Sequence, residues 1–165
     1  MKKWMVIAGC AVVALVAIGL TIFRASDEDR IREVMTRLAK AVSVKQDDNM
    51  LTRNGRIKST MKEICIDMIN VDIAELPELR ITNRADFADK ATQLGAVYVP
   101  ATVEFTQTVI KVDPNGDNAK VDTVAVLTGM RGGEQRTDKR DVHMLLHKDG
   151  SWLITTIDVL PPRQE

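Results

Sequence analysis

Val142-His143-Met144-Leu145-Leu146-His147-Lys148-Asp149-Gly150-Ser151-Trp152-Leu153-Ile154 is the stretch that decides the fold. Two runs rich in apolar and β-favouring residues flank Lys148-Asp149-Gly150, and an Asp-Gly pair between such runs is a strong hairpin signal. Pairing His147 with Ser151 around that loop sets Leu146 beside Trp152, Met144 beside Ile154 and Val142 beside Thr156. These six residues form the most apolar face of the hairpin, so this face is expected to meet the helices and to line any pocket beneath them. The opposite face carries Asp141, His143, Leu145, His147, Leu153, Thr155, Ile157 and Val159. A half-apolar outer face on a well-charged chain suggests a cover, so His143, Leu145, Leu153 and Ile157 are read as a partner face. By the same parity Asp158 falls on the inner face.

Working outward, the last strand runs from Ser151 to Leu160, where Pro161-Pro162 stops it. The strand before it covers about Gln135 to His147 and follows the turn Arg131-Gly132-Gly133-Glu134. A further strand spans Ala119 to Met130, behind the turn cluster Asp113-Pro114-Asn115-Gly116-Asp117-Asn118. From Tyr98 the apolar period is already two, with Val99, Ala101, Val103 and Phe105 alternating with polar residues. The second half is therefore a four-stranded antiparallel meander.

The first half is helical. Ser26 followed by Asp29 reads as a capping box, and Ile31, Val34, Met35, Leu38 and Val42 share one helical face. Lys45 to Arg56 reads as a polar connection. A second helix carries Ile57, Met61, Ile64, Cys65 and Met68 on one face. A short edge strand is expected at Leu79 to Thr82, and Asn83 with Asp86 caps a third helix in which Phe87, Ala91 and Leu94 face inward and which Gly95 ends. Helices segregated before a meander indicate an α+β domain with the helices on one sheet face.

The extreme N-terminus reads differently. Trp4 to Phe23 holds no charged residue, and about 20 apolar residues in a helix span roughly 30 Å, the hydrocarbon thickness of a bilayer. Lys2 and Lys3 precede the run and would stay cytoplasmic, which places the following domain outside, in the periplasm or extracellular space. Trp4 suits an interfacial anchor. A cleaved signal fits poorly, because Ala25 at the last position would put bulky Phe23 two residues before it. A lipoprotein signal at Ile7-Ala8-Gly9-Cys10 has its longer apolar stretch on the wrong side of the cysteine. The expected organisation is a tail and inner-membrane helix over 1–25, one domain over 26–162 and a tail over 163–165.

Bulk properties remove some function classes. The chain has 23 basic and 23 acidic residues, and a zero net charge argues against a general nucleic-acid binder. The two cysteines, Cys10 and Cys65, cannot form a disulfide framework, and no Cys/His spacing suggests a zinc site. No glycine-rich phosphate loop and no serine or cysteine nucleophile motif stands out, so no metal or cofactor is expected.

Leu79 to Thr82 ahead of the helix at Asn83, with the closing hairpin Val142-His143-Met144-Leu145-Leu146 and Asp149-Gly150-Ser151-Trp152-Leu153-Ile154, resembles the nuclear transport factor 2-like superfamily, which includes the SnoaL-like cyclases. The resemblance covers about Asp27 to Pro161. It implies a cone in which about three helices pack on a curved sheet and leave a pocket between them. It also implies a choice of roles, since the superfamily holds isomerases, dehydratases and non-enzymatic members, some of them single-anchor subunits of secretion and lipid-import systems.

Within such a cone an enzyme needs an acid or base against an apolar wall. Asp67, Asp72, Tyr98, Asp141, His143 and Asp158 are the titratable candidates, and Tyr98 with Asp158 is the pair that would share the pocket. Asp141 and His143 point together, but outward, where with His147 they would make at most a weak metal site. The leading expectation is a non-enzymatic, membrane-anchored binding or assembly module, acting on a protein partner, a second copy or a small hydrophobic ligand. The alternative is a small-molecule isomerase or dehydratase using the cone.

Overall fold

A computed structural model describes residues 26–162 of the chain. The expected membrane anchor at 4–23 and the tail at 163–165 lie outside the described residues. Among the described residues no helix is long and apolar enough to cross a membrane.

Helix α1 spans Asp27–Val42 and α2 spans Met50–Ile64. Strand β1 is Cys65–Ile73, followed by a 3-10 turn at Pro77–Leu79 and helix α3 at Arg84–Leu94. Strands β2 to β5 are Ala101–Val112, Asn118–Arg131, Glu134–Asp149 and Ser151–Pro162. The starts of α1 and α3 follow from side-chain caps. Ser26 Oγ accepts from the Asp29 backbone N–H while Asp29 answers on the Ser26 N–H, and Asn83 accepts from the Asp86 N–H.

The five strands form one mixed sheet in the order β1-β5-β4-β3-β2. β2 to β5 make the expected antiparallel meander, and β1 adds a parallel edge against β5. The meander and the α+β class agree with the sequence reading, while the first half departs from it in two places. Helix α2 starts at Met50, seven residues before Ile57, because Asn49 caps it by accepting from the Thr52 N–H. It also ends at Ile64, so Cys65 and Met68 are not on its face but in β1, where Met68 is exposed. The edge strand expected at Leu79 to Thr82 reduces to one bridge between Ile81 and Val71. Cys-Ile-Asp-Met-Ile-Asn-Val-Asp-Ile alternates only loosely, and Cys65, Ile69 and Val71 are its buried residues, so its period is ambiguous in sequence.

The helices cover one face of the sheet. Ile31, Met35, Ile57, Met61, Ile64, Val121, Met144, Leu146, Trp152 and Ile154 are all nearly inaccessible and form one core. Asp27 ties α1 to the closing hairpin: Lys148 Nζ donates to its Oδ1 at 2.8 Å and Trp152 Nε1–H to the same atom at 3.0 Å. These bonds, that from Lys148 first, hold the Asp27 carboxyl below its ordinary value of 3.8.

Candidate functional site

The register of the closing hairpin determines which side chains face the cone. Gly150, at φ 68°, makes the apex, and Asp149 pairs with Ser151, so His147 lies opposite Leu153 and not Ser151. That slip is two residues, which preserves faces, and Leu146, Met144, Val142, Trp152 and Ile154 all point inward and are buried. Beyond Ile154 a bulge intervenes: Leu146 pairs with Ile154, yet Leu145 pairs with Thr156. One extra residue reverses every later side chain. Thr156 therefore leaves the pocket face for the outer face, Ile157 and Val159 turn inward, and Asp158 turns outward. Four expected positions are corrected by this single bulge: Thr156 and Asp158 are not in the cone, and Ile157, read as part of the partner face, and Val159 are not on the outer face. Ile157 is only 5% exposed.

Beyond the bulge the sheet and helices part to leave a cavity of about 310 Å³. This lies at the lower end of the ~300–1,000 Å³ range that holds small-molecule ligands. Ile157 and Val159 of β5, Val142 and Met144 of β4 and Phe105 of β2 form its sheet wall, and Phe87 of α3 lies opposite. Leu146, Trp152 and Ile154 do not line it; they fill the core at the other end, against α1 and α2. A wider groove of about 640 Å³ runs between α1 and β2, but exposed Thr102, Glu104 and Thr106 supply much of its wall, so it buries little.

Four chargeable or hydroxylic side chains reach the cavity: Lys90, Tyr98, Asp138 and Arg140. Arg140 Nε donates to both oxygens of Asp138, at 3.0 and 3.1 Å, and its Nη1 bonds Glu75. The Asp138 bond is the first reason the guanidinium pKa is raised further. Asp138 is thus occupied as a counter-ion. The Tyr98 ring lies on the wall with the Arg131 guanidinium 5.8 Å from its centroid. Tyr98 and Asp158, the expected acid–base pair, are not brought together.

Asp158 instead joins a row across the outer face. It pairs in register with Asp72 of β1 and with His143 of β4, and His143 pairs with Asp122 of β3. His143 Nδ1 lies 2.5 Å from Asp122 Oδ1. Leu145, 45% exposed, and half-buried Leu153 sit on the same face. Among the described residues no group of three His, Cys, Asp or Glu side chains could hold a metal ion. Cys65 is a packing residue: burial pushes its thiol up to about 12, beyond the range where a thiolate forms near neutral pH.

One buried residue, behind the cavity-lining Gly95 and Val44, has no place in the sequence reading. Arg53 of α2 is 4% exposed, and among the described residues its Nε and Nη1 have no hydrogen-bond partner. Its guanidinium lies against Gly95, where an added Cβ would fall 2.5 Å from Nη1 and 2.9 Å from Val44 Cγ2. Val44 and Gly95 both line the cavity. The signal was present in the sequence: once α2 starts at Met50, Arg53 falls on the buried stripe Arg53, Ile57, Met61, Ile64.

No protein-family model and no curated sequence matches the chain. Solved structures do. A nuclear transport factor 2-like protein with a cystatin-like fold from Novosphingobium aromaticivorans superposes with a TM-score of 0.64 at 14% identity, over 88% of this chain and 86% of its own. A nuclear transport factor 2-like superfamily protein from Salmonella enterica gives 0.65 at 14% identity, over 84% and 92%. A candidate scytalone dehydratase from N. aromaticivorans gives 0.63 at 12% identity, over 80% and 81%. At these identities the likeness speaks for the fold alone. The domain over residues 26–162 is an α+β domain of the nuclear transport factor 2-like fold.

Proposed function

We propose that this domain is a non-enzymatic binding module that encloses a small apolar molecule in its cone. The observation that carries the reading is the cavity beyond the β5 bulge, walled by Phe87, Phe105, Val142, Met144, Ile157 and Val159. Burying an apolar ligand there gains about 25 cal/mol for each Å² removed from water, without any specific polar contact. Among the described residues its one lining carboxylate, Asp138, is already paired with Arg140, so no free carboxylate stands on the wall.

The module is anchored by the apolar run at 4–23, with the domain on the periplasmic or extracellular side. Its outer sheet face, with His143, Leu145 and Leu153, is the surface for a protein partner or a second copy. The test is extraction of the full-length protein from membranes, with mass spectrometry of what accompanies it. The expected outcome is release only by detergent, with a small molecule bound that Val159→Phe excludes. Full-length protein in the detergent-free soluble fraction would overturn the anchor. A bound molecule retained by Val159→Phe would overturn the cone.

A second reading, a small-molecule isomerase or dehydratase, is favoured by Tyr98 and Asp138 lining one cavity and by the candidate dehydratase among the similar structures. It requires Asp138 to leave Arg140 when substrate enters. Turnover abolished by both Tyr98→Phe and Asp138→Asn would establish it in place of the first reading.

A further inference from the structure

We propose that the cone takes its ligand from the aqueous space beyond the membrane and not from the bilayer that holds the anchor, so that its occupant is a small, water-dispersible apolar molecule and not a membrane lipid. The inference rests on the anchor at 4–23 and on the cone as a ligand site, and adds the source and class of what fills it.

The two ends of the domain differ in what they carry. Only Arg24, Ala25 and Ser26 separate the apolar run from α1, and three extended residues reach about 10 Å at most. An anchor at 4–23 therefore holds Asp27, the first residue of α1, close to the bilayer surface. Asp27 is tied to the closing hairpin by the bonds from Lys148 Nζ and Trp152 Nε1, so the Asp149-Gly150 apex stands at this same end. The Lys148 backbone N–H donates to the Asp117 carbonyl, which brings the β2–β3 turn there as well.

The cavity lies toward the other end. Met144 and Ile157, paired with each other and buried, form its floor. Its half-exposed sheet wall occupies rungs farther from the apex, Phe105-Ala125-Arg140 and then Val103-Leu127-Asp138. From Lys148 back to Arg140 the strand covers about 26 Å. The path along α1 agrees: Val42, which lines the cavity, lies about 22 Å of helix beyond Asp27. Laying the open wall against the bilayer requires tipping the domain onto a flank. The exposed side of α1 is polar, with Arg30, Arg32, Glu33, Thr36 and Lys40, whereas helices that lie in a membrane interface are held by apolar side chains. A volume of about 310 Å³, at the small end for ligand sites, also suits one short apolar body better than a lipid with two chains.

The test uses the full-length protein in vesicles of phosphatidylcholine and phosphatidylglycerol. Asn115→Cys in the β2–β3 turn and Gln135→Cys at the start of β4 each carry a donor fluorophore on a Cys10→Ser background, with the acceptor on lipid headgroups; Cys65 is buried and stays unlabelled. Energy transfer is expected to be at least about threefold more efficient from position 115 than from position 135, since about 43 Å of β4 separates Lys148 from Gln135. The source is read with two photoreactive probes, a diazirine-bearing hexanol added to the water and a phosphatidylcholine with the diazirine in one acyl chain built into the vesicles. The alcohol is expected to label the peptides that hold Met144 and Ile157, and the phospholipid to label them at least about tenfold less, a difference of about 1.4 kcal/mol in occupancy. Equal energy transfer from both positions, or cavity labelling by the phospholipid that matches the alcohol's, would overturn the aqueous source and leave the cone standing. Cavity labelling by neither probe would overturn the cone as well. Protein that does not stay with the vesicles would overturn the anchor and this inference together.

Discussion

Strand β5 serves two different ends of the cone, and its bulge separates them. Before the bulge, Trp152 and Ile154 interlock with Leu146, Met61 and Ile31 in a core without access to water. After it, Ile157 and Val159 face the same side of the sheet but border a cavity. The residue types are alike on both sides, and the difference is what stands opposite. Helices α1 and α2 close over the first part, while Phe87 and Ala91 of α3 stand off from the second. Apolar character alone therefore does not separate a core from a pocket; the distance to the facing layer does.

The largest effect that tests this contrast is a paired truncation in β5. Ile154→Ala is expected to cost about 4 kcal/mol, near the upper part of the range for a fully packed site, and Ile157→Ala about 2 kcal/mol, because its neighbours already border empty space. Urea denaturation of both variants checks it, and equal losses would erase the distinction between the two ends. Next in size, Asp27→Asn removes the charge that joins α1 to Lys148 and Trp152 at the closed end. The expected loss is about 1 kcal/mol at neutral pH, kept small because water reaches part of the carboxyl. Since the folded-state pKa of Asp27 is lowered, its contribution is full above its ordinary value of 3.8 and fades as pH falls below it. Stability curves of wild type and Asp27→Asn should converge in that acid window; a constant gap would deny the ion pair. Smallest is Gly55→Ala in α2. Nothing lies within 4 Å of a Cβ there, so the protein should gain about 0.5–1 kcal/mol of helix propensity. A loss would mean that this face of α2 is covered.

How much of this was legible in the sequence follows from the same physics. The closing hairpin, the meander and the caps at Ser26 and Asn83 were readable because turn chemistry and capping act over a few residues. β1 was not, since Cys65–Ile73 carries apolar residues at spacings that fit helix or strand, and only pairing with β5 decides between them. The bulge at Thr155 was not legible either. Thr155-Thr156 fits regular pairing equally well, and its cost was the wrong face for Thr156, Ile157, Asp158 and Val159. Arg53 was hidden by the late start assigned to α2, and becomes conspicuous once Asn49 is recognised as its cap.

The most direct test of the central claim is binding of a neutral apolar probe, a fluorinated decanol followed by fluorine NMR, to full-length wild type and to Val159→Phe side by side. Val159 borders the cavity, and phenylalanine in its place fills it. A bound resonance in wild type that weakens tenfold or more in the variant, a loss of about 1.4 kcal/mol in binding, is expected with the unfolding midpoint little changed. The same affinity in both proteins, or no bound resonance in wild type, would contradict the account.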